Sequence, residues 1–204
     1  PYFFHPLRAR KLPHRMQFLL ESIRELSSNL ASLGSRLICV SGPSVTLMPE
    51  LVKRWGITRV VAHRWTEPFG RTRDARIAES LSVPMTLYEG ETLHPPGTLR
   101  TGKGTPYSVF TPFSRALRKA ARISEPLPKP KGLGAVPSVA MKDNEEIPCL
   151  EKLGISRNPH LQAGGESAAR ARLKLFLEQR VGTYCVGRDQ LGEPATSRLS
   201  ADIK

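Results

Sequence analysis

The chain is poor in acid: across 204 residues, 18 Asp and Glu stand against 31 Lys and Arg, giving a formal net charge of +13. That imbalance favours a polyanionic partner, whether nucleic acid, a phosphorylated cofactor or an anionic membrane surface. Cysteine is scarce. Cys39, Cys149 and Cys185 are widely spaced and form no C-x-x-C, which argues against a structural metal site and suits a reducing, cytoplasmic setting. No run approaches the roughly 20 apolar residues of a membrane span, and no secretory pattern opens the chain; no membrane partner is expected. His5, His14, His63, His94 and His160 include no i, i+4 pair, so metal ligation is not expected. There is no G-x-G-x-x-G and no Walker-type loop; "GKGTPYS" (102–108) lacks the spacing and a preceding strand, which speaks against an NTPase or an NAD enzyme. "GPSVT" is not a nucleophile elbow, so hydrolysis has no visible machinery.

What is present alternates. From Arg15 to Leu33 the apolar residues Met16, Leu19, Leu20, Ile23, Leu26, Leu30 and Leu33 form one helical stripe, with Gly34 as stop signal. "RLICVSG" (36–42) reads as a buried strand, 44–56 as helix, "ITRVVAH" (57–63) as a second strand, 73–81 as helix and "PMTLYEG" (84–90) as a third strand. Strands and helices joined by short connections predict βαβ units and an open parallel, Rossmann-like α/β sheet. Three strands fall short of the mean of about five or six, and the opening "PYFFHPLRARKLPHR" reads as a connection. One or two further N-terminal strands are therefore expected.

After Gly90 the texture changes. "LHPPGTLRTGKGTPYS" (93–108) reads as loop, and 110–123 as a helix with Thr111 as N-cap and Pro112 at its first position. Residues 124–148 are rich in Pro and Gly, as a surface linker would be. A helix over 166–180 carries Ala169, Leu173, Phe176 and Leu177 on one face. The expected organisation is an incomplete α/β domain (1–107), a helix and interdomain linker (108–160), and the beginning of a helical domain (161–204).

Two stretches could carry chemistry. "HRWTEPFGRTRDARI" (63–77) follows a strand, at the carboxyl edge where open α/β sheets bind ligands. Trp65 and Phe69 with Arg64, Arg71 and Arg73 suit a flat heterocycle or nucleotide; equally, Arg73 and Asp74 could pair at a helix start while the aromatics cap the sheet. At the other end lie Tyr184, Arg188 and "TSRLS" (196–200). Hydroxyls and unpaired backbone amides at a turn can cradle a phosphate, although Ser and Thr more often cap helices.

Taken in order, "WTEP…RTRD", "LHPPGTLRTGKGTPYSVFTPF", "GGESAARARLKLFL" and "Y…RD…TSRLSA" resemble the DNA photolyase and cryptochrome family throughout the chain. The resemblance implies FAD held in a helical domain, with an antenna pigment lodged against the α/β domain. Residue by residue, Tyr184, Thr196, Ser197, Leu199 and Ser200 match positions that contact FAD, the hydroxyls mainly at its diphosphate. Arg188 matches a position near the DNA backbone, and the basic surplus then serves to neutralise phosphates. No residue of the chain matches a catalytic position. Folate-antenna members grip their pigment with an Asn-Glu pair where Phe69 and Gly70 stand here, so a deazaflavin or flavin antenna, or none, is expected in preference to folate.

For the intact protein, a monomer acting on damaged DNA, the resemblance implies light-driven electron donation from reduced FAD to a flipped-out pyrimidine dimer. Two other readings stay open. One is a cryptochrome-type photoreceptor without repair; the other is a basic α/β nucleic-acid-binding module without flavin.

Overall fold

Proline starts the first two helices. Pro6 and Pro13 open α1 (Pro6–Ala9) and α2 (Pro13–Ser32), where a missing N–H costs nothing because the first turn has no intrahelical acceptor to satisfy. At its far end α2 stops on Gly34, whose φ of 86° is easily reached without a Cβ. Gly34 N–H then donates to Ala31 O (3.1 Å) and Ser35 N–H to Leu30 O (3.0 Å), the paired bonds of a Schellman cap. The predicted helix and its stop signal are both present.

The chain then runs through α3 (Ser44–Trp55), β1 (Val60–His63), α4 (Pro68–Ser80), β2 (Met85–Tyr88), α5 (Phe110–Ala120), α6 (Ser138–Lys142), a 3-10 turn (Glu151–Leu153), α7 (Glu166–Gln179), a second 3-10 turn (Val181–Thr183) and α8 (Tyr184–Gly187). This computed structural model describes residues 5–90, 92–120, 125 and 127–203. The chain divides into two units, Pro1–Ser41 with Pro130–Lys204, and Gly42–Lys129.

The Gly42–Lys129 unit holds the α/β signature. β1 and β2 run parallel, pairing Val60 with Met85 through to His63 with Tyr88. The helix between them, α4, packs on α3 and buries Ile77, while α3 buries Leu51 and Val52. The mixed fold is the expected one, with three local differences. α4 begins at Pro68, not at residue 73, because proline is as well placed there as in α1 and α2. α5 begins at Phe110, so Thr111 lies inside the first turn and is not the cap; Pro112 is tolerated there because its missing N–H has no intrahelical partner to lose. Residues 121–123 of the predicted helix lie outside the described residues.

The third difference concerns 36–42, which joins no ladder among the described residues. Its backbone is engaged otherwise. Cys39 N–H donates to Asn144 Oδ1 (2.8 Å), Ser41 N–H to Glu145 Oε1 (2.9 Å), and Cys39 O accepts from Glu145 N–H (2.7 Å). Two side chains that follow α6 take the donors a neighbouring strand would have used. The Pro- and Gly-rich stretch is thus more than a spacer: Leu133 N–H also bonds Leu33 O at 2.7 Å.

In the Pro1–Ser41 with Pro130–Lys204 unit, the amino-terminal half of the α2 stripe makes the core. Met16 and Leu20 pack with Ala9, Leu150, Leu153 and Ile155, flanked by Leu19 and Ile147. Leu20 is fully buried, worth about 1.5–3 kcal/mol for such a side chain. Farther along the same stripe Leu26 is exposed.

Candidate functional site

A row of polar side chains on α2, spaced one turn apart, receives the segment that leads into α7. Gln17, though 1% exposed, is fully used: its Oε1 accepts from Asn158 N–H (2.8 Å), and its Nε2 donates to Asn158 O and Glu21 Oε1 (3.1 Å each). One turn on, Glu21 accepts from Gly164 N–H at 2.9 Å. A further turn on, Glu25 accepts from the amide (2.9 Å) and the hydroxyl of Ser167 in the first turn of α7. Those two bonds, the hydroxyl first, hold the Glu25 carboxyl below its ordinary value of 4.5, as expected when donors favour the charged form. Gly165, at φ 104°, leaves no room for a Cβ against Glu25.

α7 is therefore held by its first turn. The apolar face of Ala169, Leu173, Phe176 and Leu177 is not a core face here: among the described residues α7 buries none, and Leu173 and Leu177 are exposed. One flank of α7 stays open, with a shallow groove of about 450 Å³ along Arg170, Leu173, Lys174, Leu177 and Glu178. Phe176 is the exception. It meets the Tyr184 ring edge-to-face, with centroids 5.8 Å apart. Arg188 lies over the other neighbour of that cluster, its guanidinium carbon 5.9 Å from the Tyr184 ring centre, and pairs loosely with Asp189 at 3.7 Å. Both Arg188 and Asp189 face solvent.

Beyond α8 the chain turns back. Ala195 is buried against Gly187, where an added Cβ would come within 2.5 Å of the Ala195 methyl. The next residues are the hydroxyl cluster: Thr196 and Ser200 are exposed, Ser197 and Leu199 half-buried. Between them Arg198 has φ 55°, a left-handed conformation that costs a non-glycine residue about 1–2 kcal/mol. Leu199 O then accepts from Asp202 and Ile203 N–H (2.9 and 3.1 Å), closing a single helical turn. Among the described residues no hydrogen bond engages the hydroxyls of Thr196, Ser197 or Ser200. They cap no helix, contrary to the commoner use of such residues, and stand as free donors. Free hydroxyls at a strained turn in a basic chain fit an anionic phosphate group, and so fit the diphosphate part of a dinucleotide.

The structure thus places Thr196, Ser197, Leu199 and Ser200 in one turn, with Tyr184 at the start of the preceding short helix and Arg188 just past its end. It adds residues that no local pattern announced. Arg172, in the middle of α7, donates from Nη2 to Asp202 Oδ1 (2.5 Å) and from Nη1 to Ala163 O (3.0 Å); Gln162 Nε2 reaches Asp202 Oδ2 at 3.2 Å. Arg172 Nε is buried and has no partner among the described residues. These contacts span 30 and 40 residues of chain, beyond any periodicity.

In the other unit, Arg73 and Asp74 do pair, though inside α4 and not at its start. Arg73 forks onto Asp74 Oδ1 (2.6 and 2.8 Å) and lies 5.5 Å from the centre of the Trp65 ring. Arg64 Nε bonds Glu89 at 2.6 Å. With Thr66, Arg71 and Pro96, the residues Arg64, Trp65 and Glu89 line a cleft of about 260 Å³ beyond the carboxyl ends of the two strands. Gly70 is buried with no space for a Cβ beside Trp65, and Phe69 is 82% exposed. Among the described residues, no helix is long and apolar enough to cross a membrane, and no group of three His, Cys, Asp or Glu could hold a metal.

Comparison with known proteins gives a consistent result. The sequence profile described as DNA photolyase matches residues 1–131. A deoxyribodipyrimidine photo-lyase of Thermus thermophilus is 35% identical over 195 residues, covering 96% of this chain and 42% of that protein. Cryptochrome-2 of Gallus gallus is 30% identical over 185 residues, covering 82% of this chain and 31% of its own length. The crystal structure of a class III photolyase from Agrobacterium tumefaciens superimposes with a TM-score of 0.78 at 30% identity, over 93% of this chain and 41% of that one. The chain thus spans less than half the length of each of these three relatives.

Proposed function

Because the chain belongs to the DNA photolyase family, we propose that the intact protein binds FAD and repairs pyrimidine dimers in DNA under light, as a deoxyribodipyrimidine photo-lyase. The observation that carries this reading is the unengaged hydroxyl turn at 196–200, which follows Ala195 where that residue packs on Gly187. When bound, reduced FAD would supply the photoexcited electron that splits the dimer. The residues of this chain do the holding. Thr196, Ser197 and Ser200 donate to the diphosphate, Leu199 and Tyr184 supply apolar contact, and exposed Arg188 meets the DNA backbone. A net charge of +13 brings the polyanion to the surface. By role, residues 1–107 form the antenna-carrying α/β domain, 108–160 the helix and linker, and 161–204 belong to the flavin-binding helical domain. This division differs from the division by contact, which joins Pro1–Ser41 to Pro130–Lys204.

The cleft beside Trp65 suits a flat antenna pigment. Phe69 and Gly70, the one exposed and the other tight against Trp65, stand where folate-antenna members carry an Asn-Glu pair, which favours a deazaflavin or flavin there. A monomer in the cytoplasm is the setting that goes with this activity.

The test is direct: purify the intact protein in the dark, record its flavin spectrum, and expose it with cyclobutane-dimer DNA to blue light. Bound FAD and restored bases are expected. The cryptochrome relatives at 30% identity favour one second reading, a blue-light photoreceptor. A flavin-loaded protein that leaves every dimer intact would decide for it.

A further inference from the structure

We propose that Arg172 and Asp202, assisted by Gln162, are positioning residues that hold the hydroxyl turn in register for phosphate and cancel a neighbouring carboxylate that would repel it. The proposal rests on the phosphate-binding reading of residues 196–200 and adds how that site is held.

The turn is tied at both ends. On one side Ala195 is buried against Gly187. On the other, both oxygens of the Asp202 carboxylate are taken, one by Arg172 Nη2 at 2.5 Å and one by Gln162 Nε2 at 3.2 Å, leaving that side chain 7% exposed. Thr196, Ser197, Leu199 and Ser200 all lie between these two ties. The middle of the turn needs such support, because Arg198 sits at φ 55°, and conformations of this kind persist only where the surroundings over-determine them. Arg172 is itself fixed, with Nη1 on Ala163 O at 3.0 Å.

Charge supplies the second half of the argument. Asp202 follows Ser200 by two residues, so an unpaired carboxylate there would oppose an incoming phosphate through a poorly screened medium. Arg172 removes that opposition while spending no donor on the ligand. The two partners are therefore not equivalent. Losing the Asp202 charge loosens the turn, whereas losing the Arg172 charge loosens it and uncovers an anion as well.

Inorganic pyrophosphate is the probe, titrated into the isotopically labelled 204-residue chain while the backbone amides of 196–201 are followed by NMR. Wild type is expected to show saturable shifts confined to that turn. Asp202→Asn should weaken binding roughly three- to tenfold and Arg172→Met by more than about tenfold, with Arg172→Lys between Arg172→Met and wild type. Equal losses in Arg172→Met, Arg172→Lys and Asp202→Asn would reduce the cluster to scaffolding and overturn the proposal, as would unchanged affinity in all three. If wild type itself binds no pyrophosphate, the phosphate reading falls and takes this proposal with it. Should Arg172→Met lose its dispersed spectrum, Arg172→Lys and Asp202→Asn decide: affinity within about twofold of wild type in both sinks the idea.

Discussion

At the scale of single residues, Arg188 is the side chain whose role differs most between readings. It is exposed, stacked loosely on Tyr184, and its carboxylate neighbour Asp189 lies 3.7 Å away in open solvent, an ion pair worth little. The guanidinium is therefore available to a DNA phosphate at small cost. In the intact protein, Arg188→Ala should weaken DNA binding evenly across sequences and lower the salt slope of log K by about one unit, the loss of one phosphate contact. Binding isotherms over a range of salt concentrations read this directly, and an unchanged slope removes Arg188 from the interface. Arg188 was identifiable in the sequence through its place in the "Y…RD…TSRLS" series. Arg172 was not, because nothing in "AARARLKLFL" distinguishes a guanidinium that faces Asp202 from the solvent-facing ones beside it.

At the scale of elements, two carboxylates act as clips between segments distant in sequence. Glu25 holds the first turn of α7 to α2, and Glu145 holds the 39–41 stretch, its carboxyl lowered first by the Ser41 hydroxyl and then by the Ser41 amide. In both, the folded state binds the proton less well than the unfolded chain. The stability they add is therefore complete above the ordinary value of 4.5 and is lost as pH falls through the lower folded values. A thermal melt series from pH 7 down through 4.5 should show the midpoint falling, and Glu25→Gln with Glu145→Gln should flatten that fall while lowering the neutral-pH midpoint. A double variant with the wild-type acid profile would mean these clips contribute nothing. The same clips explain why 36–42, a β-rich run on paper, is no strand: its amides are already taken by Asn144 and Glu145.

At the scale of the whole molecule, the unusual feature is how much apolar surface α7 and α8 leave uncovered. Leu173, Leu177, Val186 and Leu191 are all exposed. Sites for drug-sized ligands bury about 70–90% of the ligand surface, and the open groove along α7 offers nothing of that kind. The 204-residue chain alone is expected to bind FAD only weakly, with a Kd well above about 1 µM, even where its hydroxyl turn takes up pyrophosphate as proposed. Fluorescence titration with FAD measures this, and tight one-to-one binding would contradict the assignment of 161–204 to one part of a larger flavin site.

The sequence by itself determined the α/β signature, the stripe of α2 with its Gly34 stop, the ordered motifs that assign the family, and the candidate hydroxyls at 196–200. Those features depend on local periodicity, turn chemistry and residue order, all of which act over a few positions. Only the tertiary structure decided that Gln17, Glu21 and Glu25 read the approach to α7, that the predicted apolar face of α7 lies open, and that Asp202 is clasped by Arg172 and Gln162. Those arrangements join groups tens of residues apart. A buried polar atom takes whichever partner the folded backbone brings within about 3 Å, and no spacing along the chain records that choice.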